Sequence, residues 1–171
     1  MGIVLLVDDD EEIRHVLRMV LEDEGRTIQE AADGMAALER LRRSEQPSVV
    51  LLDLMMPRLS GAGVLGVVAA EPLLAERHSF ILMTAMGSAL PRPLITLLGA
   101  LATPVLPKPL DLDLLIQAVT HAELRQRPRR MKLEQSSSKT AREQADHYGY
   151  DGIDGRPRLV GGGRDNGGRI H

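Results

Sequence analysis

Cysteine and tryptophan are absent from the 171 residues, and the only aromatic side chains are Phe80, Tyr148 and Tyr150. Without cysteine there can be no disulfide framework, thiolate metal site or cysteine nucleophile, so packing alone has to hold the fold. So few rings argue against a base-stacking nucleic-acid surface and require an aliphatic core. Long apolar runs are also missing. Ile3–Val7 lacks a basic leader and meets Asp8, Asp9 and Asp10 at once, so it reads as neither a signal segment nor a membrane span. The five histidines, His15, His78, His121, His147 and His171, are scattered without metal spacing, and the surface is their expected place.

A chain of this length with a 43% hydrophobic fraction can bury one core of ordinary size. Its charge is divided. Residues 1–125 carry 11 Lys and Arg against 18 Asp and Glu (net −7), whereas residues 126–171 carry 10 against 6 (net +4). Half of the 16 glycines lie between Gly149 and Gly168, and Leu133, Ile153, Leu159, Val160 and Ile170 are too sparse to cover a second core. The expectation is an acidic domain over 1–125 followed by a basic, Gly-rich, disordered tail over 126–171 that holds no output domain. The basic cluster Arg125, Arg127, Arg129, Arg130 and Lys132 reads as a solvated linker rather than a nucleic-acid contact.

Within the acidic part, strand and helix patterns take turns. Ile3–Val7 predicts a strand buried on both faces, and Ile13, Val16, Leu17, Val20 and Leu21 predict an amphipathic helix stopped by Gly25. A weak strand over Thr27–Glu30, a helix through Met35, Leu38 and Leu41, and a strong strand over Val49–Leu54 follow. Val64–Ala70 reads as a mostly buried helix, Phe80–Met83 as a strand, and Leu94–Leu101 as a short helix. Val105 and Leu106 form a short strand before a last helical stripe at Leu112, Leu115, Ile116 and Val119. Five such βα units imply a doubly wound α/β domain with a parallel sheet, whose ligands sit at the strand C-terminal ends.

Polar residues collect at those ends: Asp8 and Asp9 after the first strand, Asp53 at the third, Thr84 at the fourth and Lys108 after the fifth. Clustered carboxylates need a cation, and an all-oxygen ligand set favours Mg²⁺. A carboxylate can attack phosphorus once a metal and an ammonium neutralise the transferring group. Taken singly, Asp8 and Asp9 would serve equally as helix caps, Lys108 as a surface charge and Thr84 as a strand-end hydroxyl. Their joint placement favours a site. The Met55, Met56, Met83 and Met86 cluster reads as packing around the rim. Gly61, Gly63 and Gly66 spell a dinucleotide fingerprint, but six residues separate Leu54 from Gly61 and no acidic residue ends the next strand, so a dinucleotide-binding oxidoreductase is the weaker alternative.

The segments LLVDDDEEIR, VVLLDLMMPRLSG, FILMTA and VLPKP closely resemble, in order and spacing, the receiver domain of two-component response regulators. The resemblance covers roughly residues 1–125 and implies a CheY-like, flavodoxin-like sheet of order 2-1-3-4-5. It also implies that Asp53 accepts a phosphoryl group from a sensor histidine kinase or phosphotransfer protein. Asp9 would bind Mg²⁺ directly, Asp8 mainly through water, and Met55 through its carbonyl. Thr84 would turn to a phosphoryl oxygen, Lys108 would pair with it, and the Lys108–Pro109 bond would be cis. Asp10 would be only a solvated neighbour, and Gly61 would simply permit the loop turn after Pro57. Such a protein is a switch rather than an enzyme, catalysing only its own phosphorylation and dephosphorylation. It is expected in the cytoplasm as a monomer or weak dimer, signalling through a downstream protein, with no nucleic acid and no membrane. Two departures stand out. Val105 occupies the place of the family's switching aromatic, which leaves open a phosphorylation-insensitive scaffold, and apolar Met55 and Met86 imply a long-lived acyl phosphate.

Overall fold

The computed structural model describes residues 2–86 and 89–126. The expected tail over 126–171, with His147 and His171, lies outside the described residues except for Gln126, which closes the last helix instead of opening a tail. In chain order the elements are β1 (Ile3–Val7), α1 (Glu11–Asp23), β2 (Thr27–Ala31), α2 (Gly34–Arg43), β3 (Ser48–Asp53), α3 (Gly61–Ala70), α4 (Pro72–Arg77), β4 (Ser79–Thr84), α5 (Arg92–Ala100) and β5 (Val105–Pro107). A last helix, α6, runs through residues 112–126. All strands pair in parallel, in the order β2-β1-β3-β4-β5.

The alternating side chains of the central strands feed two aliphatic layers. Leu5, Val7, Val50, Leu52 and Leu82 point to one face, where Leu38 and Leu41 of α2, Val64 and Val68 of α3 and Leu94 and Leu98 of α5 cover them. Val4, Leu6, Val49, Leu51, Ile81 and Met83 point to the other, against Leu17 and Leu21 of α1 and Leu115, Val119 and Ala122 of α6. Each fully buried Leu or Val contributes about 2 kcal/mol relative to exposure. The continuous apolar runs of β3 and β4 are the consequence of this two-sided cover, every residue of both strands being buried.

The helix ends are set locally. Asp10 accepts hydrogen bonds from Glu12 N and Ile13 N and so caps α1; it is solvent-exposed, as expected, but is a structural cap as well, and Asp8 and Asp9 do not cap α1. At the other end Gly25 adopts φ 77°, and its N–H and that of Arg26 bond to the carbonyls of Glu22 and Leu21. The short helix α4 went unforeseen because Pro72 at its start reads as a breaker, whereas it occupies the first turn, where the missing N–H costs nothing. Helix α3 begins at Gly61, three residues before its apolar run, capped by Ser60 Oγ, which accepts from Gly63 N. Strand β3 starts one residue early and ends at Asp53, so Leu54 belongs to the loop.

His78, expected on the surface, is buried just before β4. Its Nδ1 accepts the Ser48 N–H at 3.2 Å, while the Ser48 carbonyl accepts from Gln126 Nε2 at 2.7 Å, tying the starts of β3 and β4 to the end of α6. The histidine is thus a side-chain acceptor at the bottom edge of the sheet, where β3 begins. Burial lowers its pKa to about 4 from the ordinary 6.5, with the Leu41 carbonyl pulling upward and the charge of Arg77 further downward. A depressed histidine pKa gives stability that is full above pH 6.5 and lost as pH falls toward about 4. Over that window the loss should reach about 3 kcal/mol. Urea unfolding at a series of pH values checks this: His78→Gln, which keeps an acceptor for Ser48, should flatten the slope, and an unchanged slope would assign it to other groups.

Candidate functional site

The C-terminal ends of β1, β3, β4 and β5 meet on one rim, and each delivers a polar side chain. Asp8 follows β1, Asp53 ends β3, Thr84 ends β4 and Lys108 follows β5. Asp8 and Asp53 are 1% and 5% exposed, unusually dry for carboxylates. Both are held by one ammonium: Lys108 Nζ lies 2.8 Å from Asp8 Oδ2 and 2.8 Å from Asp53 Oδ1. The Lys108 backbone is fixed by its own N–H, which donates to the Thr84 carbonyl at 2.8 Å, and the Lys108–Pro109 bond is cis.

The remaining carboxylate oxygens are also placed. Asp8 Oδ1 accepts from Asp10 N at 3.0 Å, and Asp53 Oδ2 accepts from Met55 N at 3.0 Å. Asp9 is exposed and takes no hydrogen bond or ion pair among the described residues, yet carboxylate oxygens of Asp8, Asp9 and Asp53 lie within 4.8 Å of one another. Thr84 is buried, and its Oγ1 accepts from Met86 N at 3.0 Å rather than meeting Asp53 or Lys108. The structure therefore brings Asp8, Asp9, Asp53 and Lys108 together and leaves the Thr84 hydroxyl turned to its own loop.

Burial is the largest influence on Asp53 and raises its pKa. The Lys108 ammonium pulls it down, but Asp8 shares that ammonium and repels, so the net direction is upward. For Lys108 burial is again the largest single influence and pulls downward, but the hydrogen bonds and charges of Asp53 and Asp8 together outweigh it and raise its pKa. The lysine is firmly cationic and the central carboxylate is held above its ordinary basicity.

The loop after Asp53 is built for close approach. A Cβ on Gly61 would stand 2.4 Å from the Asp53 carbonyl oxygen, so only glycine lets α3 start against the end of β3; the residue does more than permit a turn. Arg58, at φ 65°, pairs with the buried Asp33, which also caps α2 through Met35 N and Ala36 N. The methionines divide: Met83 is core on the α1–α6 side of the sheet, Met56 is partly buried against the opposite layer, and Met55 and Met86 are 66% and 42% exposed at the rim. Of the other two glycines of the triplet, Gly63 packs against Leu59 whereas Gly66 faces open space, so the three do not act as one unit. Sequence reasoning missed Arg14 because a charged residue between apolar helix positions reads as solvated, and missed the Asp33–Arg58 pair because both stand in loops far apart in the chain. Only the fold sets them beside the rim.

A parallel sheet of this order with an acidic, lysine-bridged rim defines a doubly wound α/β domain whose site is at the strand ends. The family profile described as the response regulator receiver domain matches residues 4–120. The chain is 37% identical over 131 residues to the response regulator MprA of Mycobacterium ulcerans, covering 77% of this chain and 52% of that protein. It is 39% identical over 113 residues to the transcriptional regulatory protein CpxR of Escherichia coli, covering 65% and 44%. It thus spans about half the length of these relatives. Among solved structures, the response regulator TrrA of Thermotoga maritima in complex with Mg²⁺-BeF superposes with a TM-score of 0.61 at 29% identity, covering 71% of this chain and 99% of that one. The chain belongs to the response regulator receiver domain family of two-component signalling.

Because burial raises the Asp53 pKa, its ionised form is disfavoured by folding. That cost is full above the raised folded value and disappears as pH falls below the ordinary carboxylate value. Asp53→Asn should therefore raise the unfolding midpoint of the metal-free protein at neutral pH by a few degrees. The gain should shrink toward zero in acid, as followed by circular dichroism melts; a lower midpoint at neutral pH would contradict the assignment.

Proposed function

We propose that the domain, carried by residues 1–125, is a phosphorylation switch in which Asp53 takes a phosphoryl group from a phosphohistidine of a sensor kinase or phosphotransfer protein. The observation that carries this reading is the Asp53 carboxylate, buried beside two further carboxylates and held by Lys108 at 2.8 Å. Burial strips water from the carboxylate and favours nucleophilic attack. In the transfer an Asp53 oxygen forms a bond to phosphorus as the phosphorus–nitrogen bond of the phosphohistidine breaks, and the departing imidazole keeps the electron pair. Lys108 then exchanges its contact with Asp53 for one with the phosphoryl oxygens, as suits a cation on a mobile stem. Thr84 would leave Met86 N and turn its hydroxyl to the same group.

The residues present fit Mg²⁺. Three carboxylates converge, no histidine or cysteine joins them among the described residues, and Asp9 keeps its oxygens open while both Asp8 oxygens are engaged. Asp9, Asp53 and the Met55 carbonyl would hold the ion, with Asp8 acting through water. When bound, the ion neutralises charge on the transferring group. The domain is not an enzyme toward other substrates, acts in the cytoplasm and passes its state to a protein partner. No described helix is long and apolar enough to cross a membrane.

The readout is distinctive. Val105 is half-buried in β5 opposite Leu82 and packs against the aliphatic layer. Its short β-branched side chain has one stiff rotamer preference and no polar end, so it cannot exchange an inward for an outward position. This favours, as the second reading, a receiver whose β5 face stays indifferent to phosphorylation.

Incubation with acetyl phosphate and Mg²⁺ should add one phosphoryl group by mass, lost in Asp53→Ala and with chelator; undiminished labelling of that variant would refute the phosphoacceptor. Comparing backbone amide shifts with and without beryllofluoride should show large changes beside Asp53 and Thr84 and small ones at Val105. Equal changes at Val105 would show that another residue carries the switch.

A further inference from the structure

Arg14 lies one turn into α1, and its backbone N–H closes on the Asp10 carbonyl at 3.1 Å. A helical side chain leans toward the N-terminus, so here it reaches back over the end of β1. Its side chain is 12% exposed, and the guanidinium spans two strands: Nη1 donates to the Asp8 carbonyl at 2.8 Å, and Nε donates to Glu30 Oε2 of β2 at 3.3 Å. The other Glu30 oxygen accepts from Arg18 at 2.7 Å. On its opposite side the Asp8 N–H donates to the Ala31 carbonyl at 3.3 Å.

The consequence falls on the next residue. The Asp8 carbonyl and the Asp9 N–H belong to one planar peptide unit, so pinning that oxygen fixes the plane from which the Asp9 side chain departs. Asp9 has no side-chain partner of its own among the described residues, yet its carboxylate converges with those of Asp8 and Asp53. Its direction therefore comes from the main chain. Resting on the reading of the rim as a Mg²⁺-dependent phosphoacceptor site, we infer that Arg14 is a positioning residue. Bridged to Glu30, it holds the Asp8–Asp9 peptide so that Asp9 faces the cation.

Positioning and simple charge make opposite forecasts. Removing a nearby positive charge should tighten binding of a divalent cation, whereas releasing the peptide should weaken it. In the full-length protein, Mg²⁺ is titrated against the amide shifts of Asp9 and Asp53 and against the unfolding midpoint. Arg14→Ala should bind Mg²⁺ about tenfold more weakly, the usual scale for loss of an outer partner of a metal ligand. Arg14→Lys should recover part of the loss, because an ammonium can hold the Asp8 carbonyl but not fork to Glu30 as well. Glu30→Gln, which leaves the bond to Asp8, should lose less than Arg14→Ala. Tighter or unchanged binding in folded Arg14→Ala would overturn the inference. If that variant does not fold, wild-type affinity in Arg14→Lys would do so. Wild-type protein without a saturable Mg²⁺ response at Asp9 and Asp53 would instead refute the site reading itself.

Discussion

One ammonium organises the rim. Asp8 and Asp53 belong to adjacent strands and are both almost dry, and two unit charges a few ångströms apart repel by about 4 kcal/mol at an effective dielectric near 20. Lys108, bonded to each at 2.8 Å, offsets that repulsion and supplies the hydrogen bonds buried carboxylates require. Its position is not left to a flexible side chain. Its backbone is bound to the end of β4, so the register of β4 with β5 sets where the ammonium can reach. The arrangement is tense: Asp53 remains harder to ionise than an ordinary carboxylate even with its cation in place, because burial disfavours its charged form and the charge of Asp8 adds to that. On the proposed reading, a cation bound among these carboxylates would offset that repulsion.

The same logic explains why the chemistry sits only at this edge. Helices cover both faces of the sheet, so β3 and β4 have no solvated side on which a polar group could stand. Polar residues are tolerated where a strand leaves the core and its loop can supply N–H groups, as Met55 does for Asp53 and Met86 for Thr84. The opposite edge has its own arrangement, in which His78 and Gln126 take up the Ser48 N–H and carbonyl without a formal charge. The two ends of β3 thus differ in kind: one closed by a neutral network, the other by a charged cluster that a bound ion can complete.

How much of this could be read from the residues depends on whether a signal was local. Strands buried on both faces announce themselves as unbroken apolar runs, and β1, β3 and β4 were legible for that reason. The rim was legible because each site residue immediately follows such a run. What escaped required knowledge of neighbours. Asp10 looked like an idle third acid because capping depends on which residue opens α1, and periodicity does not fix that to one position. His78 looked like a surface residue because its acceptor role is to Ser48, thirty residues away in the chain. Gly61 revealed its use only once the end of β3 stood against the start of α3. The pairing of Asp33, capping one helix, with Arg58, at positive φ in the loop of another element, has no sequence signature at all.

These distant contacts bear on how a charge change at Asp53 can be felt elsewhere. A coupling needs an element with two arrangements of comparable energy, one of them favoured by the added charge. The aliphatic layers do not qualify, since close-packed interiors do not shift by degrees, and Val105 belongs to that packing. The loops after β3 and β4 are the elements bonded directly to the site oxygens. Each carries an N–H bonded to a site oxygen and an exposed methionine, and the first holds a residue at positive φ clamped to α2 through Asp33. Under the proposed chemistry, a phosphoryl group on Asp53 would compete for the Met55 N–H and draw the Thr84 hydroxyl from the Met86 N–H. The free energy of modification would then enter these two loops and the starts of α3 and α5 before it could reach β5. On that proposal, the responsive surface of this receiver would lie over its site rather than beside its last strand.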